Sequence, residues 1–289
     1  MSNMRPMFFV MRATTACFLL WAAGTGCAIT STTGPQVPQE KTTTDPVDQV
    51  LEQLHKSILD LKSYEGQIEF KFIQPALFDS QDLKKGILYY TKDGKSSKLR
   101  VNFLTRQQDQ EKEQKYLKQY IVLDGSLLKS AGHKFEGIWL VDADYQLQEV
   151  KYCQLSEPNE PNQPTNVFDL AGENMPIIGF GNIEDLKKQF EIHLVPREQA
   201  EPSELVQLLL KVKPDSMYKD KYTSIVLWID KKINLPVEII AETTEGDIYE
   251  IKFLKPKINQ TINRKVFDFT LPKGFGEPEI IPLKEKDEQ

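Results

Sequence analysis

The sequence predicts an α+β fold, mainly antiparallel β, with one N-terminal helix followed by about ten strands. Three observations predict it. An apolar period near 3.6 residues is clearest over Val47 to Leu61. A period of two then recurs along the rest of the chain, first at Ile68, Phe70 and Phe72. Short polar turns such as Asp93-Gly94 and Asp124-Gly125 separate the runs, the spacing of hairpins rather than of helical crossovers. Antiparallel meanders of this size close or half-close into a barrel, because an open edge invites foreign strands.

The 26 residues before Cys27 read as an export signal. Arg5 and Arg12 form a basic start, and Ala13 to Ala23 is apolar but shorter than the ~20 residues of a membrane span. Gly24, Thr25, Gly26 and Cys27 resemble a lipobox, which makes Cys27 the residue expected to carry lipid. Cleavage by ordinary signal peptidase at Gly26-Cys27-Ala28 is the alternative. Removal of the two arginines takes the net charge from −6 to −8. Residues 27–44, rich in Thr, Pro and Gln, read as a tether behind that anchor.

The helix starts at Asp45, an N-cap, with Pro46 at the first helical position. Val47, Val50, Leu51, Leu54, Ile58 and Leu61 make its apolar face, and Ser63 and Gly66 are expected to end it. Strands follow at Ile68–Phe72, Gly86–Thr91, Leu99–Phe103 and Tyr116–Leu123, with Arg106–Lys115 a loop or a solvated strand extension. Ile138–Val141 and Leu147–Tyr152 flank a turn at Asp142 to Tyr145. The prolines of Glu157–Asn166 exclude a central strand. A short helix carries Ile183, Leu186 and Phe190. Strands resume at Ile192–Val195, Val206–Val212, Ser224–Ile229, Val237–Glu242 and Tyr249–Phe253, with a last one at Val266–Thr270. One domain is expected over 45–276, with a charged tail over 277–289.

Composition narrows the function. With 40% hydrophobic and 27% charged residues the chain is not wholly disordered, and a net charge of −6 disfavours a broad nucleic-acid surface. Three His, none at ligand spacing, give no metal site, and no cofactor motif or catalytic signature is present, so an enzyme is not expected. Cys153 lies in an apolar run and reads as a buried thiol rather than a nucleophile. Asp142 and Asp144 read as turn residues, and Lys84-Lys85 as a solvated face. Phe70, Phe72, Tyr89, Phe103, Trp139 and Trp228 fall on strands, where they line either a packed core or a lipid-sized cavity.

The order of motifs resembles a known family. The helix-to-strand segment LEQLHKSILDLKSYEGQIEFKF is followed by GILYYTKDG, YIVLDGSLL, IWLVDADYQLQEV, SIVLWIDKKINLPVEII, IYEIKFLKPKINQTI and FDFTLPKGFGE. Together these are similar to the periplasmic lipoprotein carrier LolA and its relative, the receptor LolB. The resemblance implies an unclosed half-barrel with a helical lid and an apolar cavity for lipoprotein or lipid acyl chains. Carriers of the family are soluble, whereas a lipidated Cys27 would tether this chain to the membrane, and Ala28, lacking the Asp that signals inner-membrane retention, favours the outer membrane; a monomer is expected. It places the lid near Val167–Phe190, with Met175, Ile177, Ile178 and Phe180 as lining. Lys92 stands nearest the position where family carriers use an Arg to latch that lid. A sensor or interaction module on the same scaffold, like the RseB regulators, is the second reading.

Overall fold

The computed structural model describes residues 45–93, 96–129, 133–157, 183–196 and 204–283. Cys27, Met175, Ile177, Ile178 and Phe180 lie outside them.

Helix α1 spans Pro46–Leu59. The Asp45 carboxylate accepts a hydrogen bond from the Val47 N–H at 2.9 Å, satisfying one of the free donors of the first turn. Leu51 and Leu54 are fully buried. The helix stops before Ser63 and Gly66, which already belong to the sheet. The Ser63 carbonyl accepts from the Asn259 N–H at 2.9 Å and its hydroxyl donates to the Gln260 carbonyl at 2.5 Å, so the chain is extended there.

The first six strands are β1 (Ser63–Gln74), β2 (Ser80–Asp93), β3 (Ser96–Gln108), β4 (Gln114–Asp124), β5 (Ile138–Asp144) and β6 (Glu149–Ser156). Helix α2 (Ile183–Gln189) leads into β7 (Phe190–Leu194). Then come β8 (Leu205–Val212), β9 (Tyr222–Asp230), β10 (Leu235–Thr243), β11 (Ile248–Ile258) and β12 (Glu279–Ile281). These twelve strands among the described residues form one sheet in the order β12-β6-β5-β4-β3-β2-β1-β11-β10-β9-β8-β7. All pairs are antiparallel except β12 with β6. The two end strands do not pair, so the sheet is an unclosed half-barrel.

Hairpin extension makes several strands longer than their apolar runs. The charged stretch after Phe103 stays paired with β2 and β4, and only Asp109–Glu113 turn. The turn expected at Asp142–Tyr145 lies three residues later, at 145–148. Asp142 and Asp144 are in β5, and the Asp144 carboxylate accepts from the N–H groups of Gln146 and Leu147. Val266–Thr270 is not a strand. Arg264–Phe267 forms a 3₁₀ turn instead, and Phe269 and Leu271 pack against the outer cluster without a ladder partner.

Alternation along the strands sorts the apolar residues onto two faces. The inner face carries Leu88, Tyr90, Leu99, Val101, Val122, Leu227 and Ile251, packed with Leu51 and Leu54 of α1 and Leu186 of α2. The outer face of β4–β6 carries a second cluster of Ile121, Leu123, Trp139, Val141 and Tyr152. Phe269, Leu271, Phe275 and Ile280 of the C-terminal segment cover it, so this segment is a strap over the outer face. Arg100 on β3 clasps the strap. Its guanidinium donates to the carbonyls of Val266 (2.7 Å) and Asp268 (3.0 Å), and to the side chains of Asn102 (2.7 Å) and Gln119 (2.8 Å). The strap ends in β12, so the sheet includes residues beyond Gly276.

Candidate functional site

The inner face is not evenly covered. Toward the Asp82 end of β2 its side chains are mostly aromatic and only partly buried. Phe72 and Tyr249 stack with ring centroids 4.9 Å apart, and Tyr249 meets Phe70 at 5.9 Å. Phe70 meets Phe103 edge-on at 6.1 Å, and Phe103 meets Tyr120 edge-on at 6.2 Å. Five rings thus form an unbroken row across β11, β1, β3 and β4. Only Phe103, 5% exposed, belongs fully to the core.

Gly86 makes the row continuous. It pairs with Ile68 of β1 and Phe103 of β3, so β2 puts no side chain beside Phe103, while Lys84, level with Phe70, lies over that ring. Strands two apart are ~10 Å from each other, and rings bridge that distance only over a small residue. The β2–β3 register shifts at the same place. A Cβ on Gly86 would fall on the Asn102 carbonyl oxygen, so the bulge requires glycine.

Charged residues border the row. The Lys84 ammonium lies 5.5 Å above the centre of the Phe70 ring, Arg106 lies 5.8 Å from that of Tyr116, and Lys118 lies 5.3 Å from that of Tyr120. Asp82 pairs with Arg106 at 2.6 Å and Lys84 at 3.1 Å. Lys118 lies 3.2 Å from Asp142 and 3.7 Å from Asp144. The Asp142 Oδ1 atom is buried and ion-paired, but no donor points along its lone pair. Burial pushes the Asp142 carboxyl above the usual carboxylate range, and Lys118 pulls it back. Burial, then Asp144, pushes the Tyr116 hydroxyl up to about 12, and Tyr120 is raised for the same first reason. Between the β3–β4 hairpin and the β5–β6 turn lies a polar cleft of about 270 Å³, lined in part by Arg106, Gln114, Tyr116, Asp144 and Gln146.

The strand aromatics named from sequence divide between the faces. Phe70, Phe72 and Phe103 share the inner row. Tyr89, one residue out of phase with Leu88 and Tyr90, faces outward near Glu65, Arg100 and Lys257. Trp139 is buried in the outer cluster, edge-on to Phe135 at 5.1 Å, with its indole N–H on the Glu136 carbonyl at 2.7 Å. Trp228 lies on the outer face between Gln207 and Glu238. Lys92 stands at the far end of β2, in register with Ser97, its backbone N–H on the Lys62 carbonyl at 2.8 Å. Tyr116, Tyr120, Tyr249, Lys84 and Lys118 were missed as site residues. Lys84 and Lys118 stand in register with Phe70 and Phe103, Tyr249 with Phe72 and Tyr120 with Val101, so strand register, not the local pattern, is the signal that finds them.

Cys153 is half-buried in register with Leu140, and burial raises its thiol pKa. His55 is half-buried, with Nδ1 shielded. His193 is exposed beside Glu191 at 3.0 Å. Among the described residues no group of three or more His, Cys, Asp or Glu is placed to hold a metal ion. No helix there is long and apolar enough to cross a membrane.

A helix-covered, unclosed antiparallel half-barrel is the class this architecture defines. No protein-family model matches the sequence, and no curated protein matches it. The fold is similar to an uncharacterized conserved protein from Thermus thermophilus, with 9% identity and a TM-score of 0.45 over 83% of this chain and 100% of that one. It is similar to MucB, with 10% identity and a TM-score of 0.45 over 81% of this chain and 65% of that one. It is also similar to a LolA superfamily protein from Nitrosomonas europaea, with 12% identity and a TM-score of 0.33 over 78% of this chain and 98% of that one.

Proposed function

We propose that the protein is an envelope lipoprotein, anchored through Cys27, that holds acyl chains of lipoproteins or lipids against the inner face of its half-barrel. The observation that carries this reading is the five-ring row from Phe72 to Tyr120, which the described helices leave partly open. A folded domain gains nothing by leaving such a row only half-buried among its described residues, on the face that also builds its core. An acyl chain gains ~0.8 kcal/mol per buried CH₂, so one long chain prefers a membrane to water by roughly 10 kcal/mol. A protein that accepts the chain must offer comparable burial, and a continuous aromatic trough does so. Transport or sorting toward the outer membrane is the role that follows from such a site behind a lipid anchor, and Met175, Ile177, Ile178 and Phe180 are the residues proposed to close over it, with Lys92, at the other end of β2 from the row, a latch only for the part of that segment away from the rings.

The test is native mass spectrometry of the body with the signal and Cys27 replaced. A bound acylated species displaced by a synthetic lipopeptide is expected, and Phe70→Ser with Phe72→Ser should abolish it while the circular dichroism spectrum stays unchanged. An unshifted apo mass in excess lipopeptide refutes the reading. A protein partner recovered by cross-linking would then favour the sensor alternative.

A further inference from the structure

The charges bordering the aromatic row fall into two groups of opposite sign. Lys84, Arg106 and Asp82 form one, held by contacts of 3.1 and 2.6 Å, with a formal charge of +1. Lys118, Asp142 and Asp144 form the other, with contacts of 3.2 and 3.7 Å and a formal charge of −1. Tyr116 separates them. Arg106 stacks over its ring, and its hydroxyl lies 3.5 Å from Asp144. Lys151, in register with Asp142, is already neutralised by Glu279 at 3.0 Å. The cleft beside Tyr116 is about 270 Å³, roughly nine water volumes at ~30 Å³ each. Its remaining charged lining, Glu111 and Lys115, balances.

From this arrangement we infer that the site selects amphiphiles with a zwitterionic headgroup, a phosphate joined to a primary amine, as in phosphatidylethanolamine. The inference rests on the acyl-chain reading and specifies its ligand. The acyl chains lie along the row from Tyr120 toward Phe72. The phosphate meets the Lys84–Arg106 side, where charge-assisted hydrogen bonds to an anion are available. The ammonium meets Asp142, whose side chain is 24% exposed and shares Lys118, while Asp144 is already occupied by the Gln146 and Leu147 N–H groups and the Tyr116 hydroxyl and contributes only its charge. A headgroup of a single sign leaves one group uncompensated at a partly desolvated site. An uncharged headgroup leaves both.

The test measures binding of three lipids with identical acyl chains, namely phosphatidylethanolamine, phosphatidylglycerol and diacylglycerol. Each displaces a fluorescent fatty acid from the delipidated protein. Phosphatidylethanolamine is expected to bind about tenfold more tightly than either of the others. Lys84→Met and Asp142→Asn are each expected to bring that ratio below about threefold. Equal binding of all three lipids overturns the headgroup inference and leaves the acyl reading standing. A preference for phosphatidylglycerol overturns it too. Failure of all three to displace the probe refutes the acyl reading itself.

Discussion

Replacing Arg100 by Leu removes four hydrogen bonds at once and keeps most of the aliphatic stem. Two of them bind the strap, through the Val266 and Asp268 carbonyls, and two bind Asn102 and Gln119 on the sheet. Gln119 is 7% exposed, so water replaces its lost partner poorly, but its Oε1 still accepts from the Tyr145 hydroxyl at 3.2 Å. Hydrogen bonds to a charged group contribute ~1.5–3 kcal/mol each. They are not additive here, because water reaches the exposed Asp268 carbonyl, and the guanidinium itself was costly to bury, as its lowered pKa shows. A net loss of about 3 kcal/mol follows, which for a body of this size shifts Tm by roughly 6–12 °C. Thermal unfolding followed at 222 nm measures the loss. Limited proteolysis locates it, with new cleavage between Arg264 and Glu279 before the rest of the sheet is cut. Arg100→Lys keeps the charge without the fork and should fall between wild type and Arg100→Leu. A Tm within 2 °C of wild type, with the strap still protected, would show that apolar contacts alone hold it and that the clasp is idle.

Gly86→Ala puts a Cβ on the backbone oxygen of Asn102 and should destabilise by about 2–3 kcal/mol, read as a lowered urea midpoint. Phe103→Ala should cost ~3–5 kcal/mol as a buried core truncation, whereas Phe72→Ala, half-exposed, should cost under about 1 kcal/mol and act on acyl binding instead; equal losses would contradict the row's partial exposure. Burial lifts Tyr64, Tyr116 and Tyr222 to about 12 from an ordinary 10. Their folded pKa values are raised, so the unfolded chain loses protons first and stability falls as pH rises through 10 to 12. Absorbance at 295 nm should show these tyrosines ionising with unfolding rather than before it. Trp139 and Trp228 lie on the outer face, so a brominated acyl probe should leave wild-type tryptophan emission nearly unchanged. The same probe should quench a Phe70→Trp variant, and strong quenching of the wild type would put the ligand on the wrong face.

Much of the fold was legible because its signals are local. Asp45 and Pro46 mark a helix start by their own backbone chemistry. The alternation of Leu99, Val101 and Phe103 marks a half-buried strand wherever its partners lie. Which face is inner was not legible. Period two yields two faces, and near β4–β6 both are apolar, since the strap covers the outer one. Trp139 therefore looks from sequence like Phe103, although the two lie on opposite sides of the sheet. Trp228 is separated from Phe70 in the same way. The part of the strap over Val266–Thr270 reads as a strand because Phe267 and Phe269 alternate, although Phe267 closes a 3₁₀ turn. That pattern records burial of one side of an extended chain and not the presence of a ladder partner. Lys84-Lys85 illustrates the same limit. Lys85 is a solvated residue paired with Glu113, while Lys84, one position earlier, lies over Phe70 among the site's charges.

The half-buried aromatics and the bordering charges have one physical origin. A sheet that curls without closing must cover both faces, and this chain covers each with a different device. Helices α1 and α2 take part of the inner face, and the strap takes the outer face of β4–β6. The bulge at Gly86 then has two consequences in a single residue. It bends β2 and β3 where Arg106 comes into register with Lys84, and it clears the space through which Phe70 reaches Phe103. Ring row and cation pair are therefore coupled, and a substitution at Gly86 should disturb headgroup selectivity and acyl affinity together. Substitutions at Lys84 or Phe72 should separate them. If Gly86→Ala binds acyl probes normally once refolded at low temperature, that coupling is absent and the row does not depend on the bulge.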